Sequence, residues 1–237
     1  MKKAIVIGAT SGIGEELAKL LTAKDYKVGI TGKEQEILEK IQKPNPEQTV
    51  ISPFDCTKDN NSQKITELVK ALGGLDLLIF SAGIGNLNKN LGFKVENLAN
   101  KLNVLAFNEI ADWSYRFFED QGHGHFVAIS SISGLRGSRV APAYNASKAY
   151  QINYLEGLRQ KAKKSGKPIY ITDIRPGFVD TDFSTYKGKF WVSTKEKAVK
   201  QIYNCIKNKK DIGYITKRWF LIAIVLKLAP NFIYKRV

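Results

Sequence analysis

Short apolar segments alternate with longer amphipathic segments along most of the chain. The apolar runs are typical of buried strands, and the longer segments, with nonpolar residues at every third or fourth position, are typical of helices. The predicted strands are 4–7, 27–31, 49–52, 75–80, 125–130 and 169–174, and the predicted helices are 15–23, 33–42, 62–72, 94–119 and 143–164. Apolar strands that alternate with helices indicate βαβ units. The pattern therefore predicts a doubly wound parallel sheet with helices on both faces, a Rossmann-like three-layer α/β fold.

The alternation also predicts how the chain divides. No repeat or linker-like stretch interrupts it before about residue 180, and a chain of 237 residues is within the range of one α/β domain. We predict a single domain over residues 1–216, with a substrate loop at about 182–195. Residues 217–237 form a C-terminal apolar and basic helical tail.

A glycine-rich loop lies between the first predicted strand and the first predicted helix. Gly8, Gly12 and Gly14 follow a Gly-x3-Gly-x-Gly spacing, with Thr10, Ser11 and Ile13 between them. Glycines in this position permit a tight turn and let backbone N–H groups approach a pyrophosphate at the start of a helix. A purely structural turn is the alternative, but the position after the first strand favours dinucleotide binding.

The end of the second predicted strand bears on the choice of dinucleotide. An NAD-binding site has a carboxylate there, which binds the ribose 2′-hydroxyl. This chain has Gly32 followed by Lys33, whose ammonium can pair with the 2′-phosphate of NADP. A solvated lysine at the start of a helix is the alternative. The sequence favours NADP(H), with NAD(H) as the second choice.

Residues suited to proton transfer follow the fifth predicted strand. Tyr144 and Lys148 are four residues apart, so they share one face of a predicted helix. A nearby ammonium favours the phenolate and is expected to lower the pKa of Tyr144, so that it can exchange a proton with a carbonyl or an alcohol. Ser131, at the carboxyl end of a strand, can donate a hydrogen bond to the substrate oxygen.

With these motifs in order, the chain resembles the classical short-chain dehydrogenase/reductase family over about residues 3–182. The resemblance implies that Tyr144 is the general acid or base, that Ser131 polarises the carbonyl and that Lys148 holds the nicotinamide ribose. Asn103 is the match for the family's catalytic asparagine, which supports a water. A polar helix residue or a buried residue at a helix kink is the alternative for Asn103.

The resemblance also implies a set of cofactor contacts. Asp55 corresponds to the acid near the adenine, and Ser81 stands where the family usually has asparagine. The segment 176–181 resembles the stretch that contacts the nicotinamide. The implied cofactor-binding residues are Gly8, Thr10, Ser11, Gly12, Ile13, Gly14, Lys33, Asp55, Ser81, Ala82, Gly83, Tyr144, Lys148, Pro176, Gly177, Val179 and Thr181.

Composition excludes several other classes of protein. A chain with 25% charged and 11% aromatic residues is not disordered. Two cysteines and two histidines exclude a four-thiolate zinc site and a three-histidine metal site, so we expect no metal. The scarcity of cysteine, the short N-terminal apolar run and the lack of a long apolar segment predict a cytoplasmic protein.

The net charge of +15 is concentrated towards the C-terminus, where 219–226 is also apolar on every side. This tail predicts contact with a membrane surface, with the substrate loop or with a partner subunit, and the sequence leaves these open. No nucleic-acid module accompanies the charge, so nucleic-acid binding is not expected.

The substrate loop is rich in aromatic residues, namely Phe183, Tyr186, Phe190 and Trp191. They predict either a lid over an apolar substrate or anchors that hold the loop on the core.

Together, these features predict an NADPH-dependent carbonyl reductase that acts on an apolar ketone or secondary alcohol, in a homodimer or homotetramer. The alternative is a catalytically idle NADP-binding sensor or a membrane-associated scaffold. The complete Ser131, Tyr144 and Lys148 set argues against that alternative, because a scaffold does not need it.

Overall fold

The computed structural model describes residues 1–58, 60–181, 183 and 188–236. Its sheet has seven parallel strands in the order β3-β2-β1-β4-β5-β6-β7, which confirms the predicted doubly wound fold. The strands are β1 Lys2–Ile7, β2 Tyr26–Gly32, β3 Thr49–Pro53, β4 Leu77–Phe80, β5 Gly124–Ile129, β6 Ile169–Pro176 and β7 Ile212–Ile215. The chain reverses its direction across the sheet between β1 and β4, and doubly wound folds bind their ligands beside such a point.

Helices cover both faces of the sheet. They are α1 Gly12–Ala23, α2 Gln35–Gln42, α3 Asn61–Leu72, α4 Phe93–Asn100, α5 Phe107–Gln121, α6 Pro142–Ser165, α7 Lys195–Lys207, α8 Trp219–Leu228 and α9 Asn231–Tyr234. A π-helical turn, Lys101–Ala106, joins α4 to α5, and a 3₁₀ turn, Ile132–Leu135, follows β5.

Alternate residues of each central strand contribute to two different cores. Ile5 and Ile7 of β1 pack with α3, α5 and α6, whereas Ala4 and Val6 pack with α1, α2 and α7. Successive side chains of a strand point to opposite faces, so a sheet covered on both sides needs apolar residues at every position. Burial of both faces of the sheet therefore explains the continuous apolar runs in the sequence.

Some element boundaries differ from the prediction. The helix predicted over 94–119 contains the π-helical turn, which holds Asn103. The helix predicted from Lys33 begins at Gln35, and the strand predicted from residue 75 begins at Leu77. Pairing with the neighbouring strand sets the start of β4, since Leu77 is the first of its residues opposite β5, where it faces His125.

The start of α1 packs directly on the end of β1. A Cβ added at Gly14 would lie 2.0 Å from the carbonyl oxygen of Gly8. Gly8 itself has φ +83°, in the left-handed region that favours glycine. Only glycine at position 14 therefore lets the helix begin this close to the strand.

The inner face of α8 packs on the 3₁₀ turn after β5. Trp219 and Ala223 are 4% and 1% exposed and form a small core with Ile132, with Ile222 and Leu226 packed beside them. These helix residues recur at intervals of three and four, as one face of a helix does. No described helix is long and apolar enough to cross a membrane.

Arg136 fastens the end of α8 to the rest of the fold. Its guanidinium donates hydrogen bonds to the carbonyl oxygens of Leu226 at 3.1 Å and Ala229 at 2.8 Å, and to Asn231 Oδ1 at 3.0 Å. The guanidinium also lies 4.1 Å from the ring centre of Tyr234. A cation at the C-terminus of a helix satisfies carbonyl groups that have no partner within the helix.

Replacing Gly14 by alanine should destabilise the fold by about 1–3 kcal/mol, because the overlapping atom belongs to the backbone. Urea unfolding of the purified protein measures this free energy. Gly157→Ala, within α6, is the matched control, since no described atom lies within 4 Å of the added methyl group. The control should be neutral or stabilising by up to about 1 kcal/mol. An equal effect of the two substitutions would contradict the packing argument.

Arg136→Ala should loosen the tail without unfolding the sheet. Removing hydrogen bonds donated by a charged group should lower the local opening free energy of α8 by about 1.5–3 kcal/mol. Hydrogen exchange of the α8 amides reports this opening. Arg116→Ala is the control, because Arg116 is exposed on α5 and pairs with nearby Asp112, and it should leave exchange in α8 unchanged. Unchanged exchange in Arg136→Ala would show that apolar packing alone holds the tail.

Candidate active site

One cleft of about 1590 Å³ opens at the carboxyl edge of the sheet. The structure brings most of the predicted site residues to its walls. They are Gly8, Thr10, Ser11, Gly12, Ile13, Lys33, Ser81, Ala82, Gly83, Ser131, Tyr144, Lys148, Pro176, Gly177, Val179 and Thr181. Gly14, Asp55 and Asn103 lie behind this wall, each in contact with a lining residue or with the chain next to one.

The glycine loop forms the floor of one half of the cleft. Ser11 precedes the first turn of α1, and its side chain makes no capping hydrogen bond to a described residue. The first N–H groups of a helix have no acceptor within the helix, and the helix dipole adds partial positive charge there. Ser11, Gly12 and Ile13 line the cleft, so this cradle fits a pyrophosphate.

Ser131, Tyr144 and Lys148 meet at the other half of the cleft. Ser131 follows β5, and its Oγ accepts a hydrogen bond from the Ser133 N–H at 3.0 Å. Ser131 lies close enough to Tyr144 to lower the pKa of its hydroxyl group. One turn further along α6, the Lys148 Nζ lies 6.0 Å from the centre of the Tyr144 ring. The spacing in the sequence therefore corresponds to a real cluster.

Burial controls the protonation of this cluster. Burial raises the pKa of Tyr144, and the hydrogen bond from Ser131 lowers it only in part. Burial also lowers the pKa of Lys148 to about 7, against the opposing charge of Asp173. The sequence predicted a lowered pKa for Tyr144, and this prediction is wrong for the structure. Burial removes more solvation from the phenolate than the interaction with Ser131 restores, and the ammonium of Lys148 is not among the causes that shift this pKa.

Lys148 is held by acceptors deep in the fold. Its Nζ donates to the Ile129 carbonyl oxygen at 3.0 Å and to Gln151 Oε1 at 2.9 Å. The Gln151 amide in turn donates to the carbonyl oxygen of Asn103 at 2.9 Å. Gln151 was not predicted from the sequence, although its position three residues after Lys148 on α6 places it on the same face.

Asn103 lies in the π-helical turn and is fully buried. Its side-chain amide donates to the Ile84 carbonyl oxygen at 2.8 Å and to Ser147 Oγ at 3.0 Å, while its Oδ1 accepts from the Ile84 N–H at 2.9 Å. These bonds tie the loop after β4 to α6. The side-chain amide of Asn103 is therefore hydrogen-bonded within the protein. Its backbone carbonyl oxygen is linked to Lys148 through the side chain of Gln151.

An ion pair is buried beneath the cluster. Arg175 Nε lies 2.7 Å from Asp173 Oδ2 on β6, and both side chains are almost fully buried. Ser130 donates a short hydrogen bond to the other Asp173 oxygen, and Arg175 donates to the Tyr214 hydroxyl at 3.1 Å. Asp173 thus has both oxygens bonded, as a carboxylate this deep in the fold requires.

The residues that are predicted to determine cofactor choice lie in the half of the cleft beside the end of β2, which we call the adenine half. Lys33 lines the cleft, and its Nζ lies 3.1 Å from Asp55 Oδ2. Burial alone would raise the pKa of Asp55, but hydrogen bonds from Thr57 and the charge of Lys33 outweigh it and lower that pKa. A Cβ at Gly32 would lie 2.3 Å from Thr10 Cγ2, so the end of β2 has no room for a carboxylate while Thr10 keeps this position.

Aromatic and aliphatic side chains form the outer wall. Phe190 lies 5.0 Å from Trp219 and 5.8 Å from Phe178 between ring centres, so the substrate loop packs on the tail. Phe183 lies 5.9 Å from Tyr144 between ring centres, beside the residue that the sequence predicts to transfer a proton. Tyr186, also predicted for this loop, lies outside the described residues.

The sequence and the structure both match known proteins. The family model described as short chain dehydrogenase matches residues 2–190. An uncharacterized oxidoreductase of Staphylococcus aureus (strain USA300) is 33% identical over 187 residues, which span 76% of this chain and 79% of that protein.

Among solved structures, a short chain dehydrogenase/reductase from Burkholderia phymatum in complex with NAD aligns with a TM-score of 0.85 and 16% identity, over 94% of this chain and 92% of that chain. A short-chain dehydrogenase from Sphingobium yanoikuyae in complex with NADPH aligns with a TM-score of 0.81 and 16% identity, over 100% and 96%. At these identities the structures support the fold alone. The family model and the S. aureus relative carry the assignment: the chain belongs to the short-chain dehydrogenase/reductase family.

Proposed function

We propose that this protein is an NADPH-dependent carbonyl reductase that also catalyses the reverse oxidation of a secondary alcohol. The observation that carries the proposal is the cluster of Ser131, Tyr144 and Lys148 in the same cleft as the glycine loop. One half of the cleft has the chemistry to hold a pyrophosphate, and the other has the chemistry to exchange a proton. The similar structures that contain NAD or NADPH support a nicotinamide dinucleotide as the occupant.

The bound nicotinamide would supply a hydride to the substrate carbon. The protein's part is to orient the carbonyl and to provide the proton. Ser131 Oγ accepts a hydrogen bond from the N–H of Ser133, and its own hydrogen would turn from Tyr144 towards a substrate oxygen. Tyr144, beside Ser131, would give its proton to the oxygen as negative charge develops there. A raised pKa keeps Tyr144 protonated at neutral pH, which suits reduction rather than oxidation.

Lys148 would position the nicotinamide ribose and favour the tyrosinate left after each proton transfer. Its contacts with the Ile129 carbonyl oxygen and with Gln151 fix its amine at the base of the cleft. With a pKa of about 7, Lys148 changes its charge within the physiological range. Gln151 supports this position from α6, while Asn103 supports it from the π-helical turn, so Asn103 acts as a positioning residue.

NADP(H) is favoured over NAD(H) because of the adenine half of the cleft. Lys33 presents an exposed ammonium at the wall, and the tight contact between Gly32 and Thr10 excludes a carboxylate at the neighbouring position. The pairing with Asp55 holds Lys33 near the cleft. Lys33 can therefore meet a 2′-phosphate without the repulsion that an NAD-type acid would add.

The outer wall favours an apolar substrate. Phe178, Phe190, Trp219, Ile222 and Leu226 line the cleft beyond the catalytic cluster. Such a wall binds ring or chain carbons by burial of apolar surface, and the polar groups of the cluster orient the carbonyl. The homodimer or homotetramer and the cytoplasmic location stay predictions from the sequence.

Tyr144→Phe should lower kcat by about a hundredfold or more, because the ring stays in place and only the proton donor is lost. NADPH oxidation with a panel of cyclic and long-chain ketones measures the rate, and fluorescence titration measures NADPH binding, which should change little. Tyr150→Phe is the matched control on the same helix, since Tyr150 stacks on Tyr154. A Tyr144→Phe rate within about tenfold of the native rate would assign the acid role to another group.

Lys33→Met should weaken NADPH binding by about tenfold and leave NADH binding nearly unchanged, because it removes the cation that would meet the 2′-phosphate, a group that NADH lacks. Dissociation constants for the two cofactors give the ratio directly. Lys40→Met, an exposed lysine further along α2, is the control and should alter neither constant. If the ratio stays the same in Lys33→Met, Lys33 has no part in cofactor choice.

A further inference from the structure

The outer side of α8 and the short helix α9 expose large apolar side chains. Although the inner face of α8 packs on the fold, the large side chains on the other side are exposed by 39% to 75%. We call this surface the outer tail face. It consists of Phe220, Leu221, Ile224, Val225, Leu228, Phe232 and Ile233. Exposed apolar surface of this extent marks a contact site.

Rotation of α8 about its own axis cannot bury the outer tail face. Trp219, Ile222 and Leu226 occupy the opposite side of α8 and line the cleft. Arg136 bonds the last carbonyl groups of α8, and the Tyr234 hydroxyl donates to the Gly137 carbonyl oxygen at 2.6 Å. Turning the outer tail face inwards would break these contacts and expose Trp219, so the face must be covered from outside.

All the charged residues of the tail are positive. Residues 212–237 contain no aspartate or glutamate, whereas Lys217, Arg218, Lys227, Lys235 and Arg236 lie within or beside the two helices. Two copies joined through this face would bring these cations together with no acid from either tail to pair with them. Like charges opposed in this way disfavour a contact between copies.

We infer that the outer tail face docks on the surface of an anionic phospholipid bilayer. Lysine and arginine beside the face match the negative headgroups, and phenylalanine and leucine side chains bury among the upper acyl carbons. The ten residues of α8 extend about 15 Å, about half of the hydrocarbon thickness, so the helix lies along the membrane rather than across it.

This orientation gives α8 two functions at once. Its inner face is a wall of the cleft, and its outer face rests on the lipid. The cleft wall and the bilayer are then separated by the thickness of a single helix. The inference concerns where the protein binds, and it holds whether or not the proposed reduction is correct.

Co-sedimentation of the full-length protein with vesicles tests the inference. Vesicles of equal parts phosphatidylglycerol and phosphatidylcholine should bind the protein at low salt, and vesicles of phosphatidylcholine alone should bind it much more weakly. Leu221→Glu should reduce binding to the anionic vesicles by about tenfold or more, because a charge replaces a buried apolar side chain. Leu105→Glu is the matched control, since Leu105 is 63% exposed against 60% for Leu221 but lies in the π-helical turn.

A second pair of substitutions tests the electrostatic part without altering the apolar surface. Lys217→Gln and Lys227→Gln should each weaken binding by about fivefold at low salt, and added salt should reduce the difference. Thermal unfolding of every variant checks that the fold is intact. The inference is overturned if the native protein ignores anionic vesicles at low salt, or if Leu221→Glu binds as well as Leu105→Glu. It is also overturned if Leu221→Glu dissociates a dimer of a protein that binds no vesicles, because a second copy then covers the face.

Discussion

The parallel arrangement of the strands is the constraint on which the site depends. Because all seven strands run in one direction, the loops after their carboxyl ends meet at a single edge. The glycine loop after β1, the loop after β4, Ser131 after β5 and the segment after β6 therefore line one cleft. Residues more than 160 positions apart in the sequence, such as Gly12 and Thr181, become neighbours in this way.

A second constraint is the cost of burying charge beneath this edge. Lys148 is almost fully buried, and its amine is satisfied by the Ile129 carbonyl oxygen and by Gln151. Asp173 is neutralised by Arg175 and also opposes the loss of charge on Lys148. Buried ions rarely add stability over apolar residues of the same size, so folding stability alone does not account for this much buried charge.

The fold and the centre of the site could be predicted because they depend on local patterns. Apolar strand runs, the glycine spacing and the Tyr144–Lys148 interval all report on neighbours within a few residues. Gln151 and the π-helical turn at Asn103 could not be predicted, because their roles depend on contacts with residues far away in the sequence. The protonation of Tyr144 was predicted in the wrong direction for a related reason: the charge of a neighbour is visible in the sequence, but burial is not.

The tail shows how one helix can serve two environments. From the sequence, α8 is apolar on every side, which left contact with a membrane, with a partner subunit or with the rest of the fold open. The structure divides these sides: Trp219 and Ala223 belong to the fold, whereas Leu221 and Val225 are exposed. A helix that only closed the cleft would be expected to have polar residues on its outer side, as amphipathic surface helices do. The outer side of α8 therefore needs a cause beyond folding, and cations without acids beside it point to an anionic lipid surface rather than to a second copy of the chain.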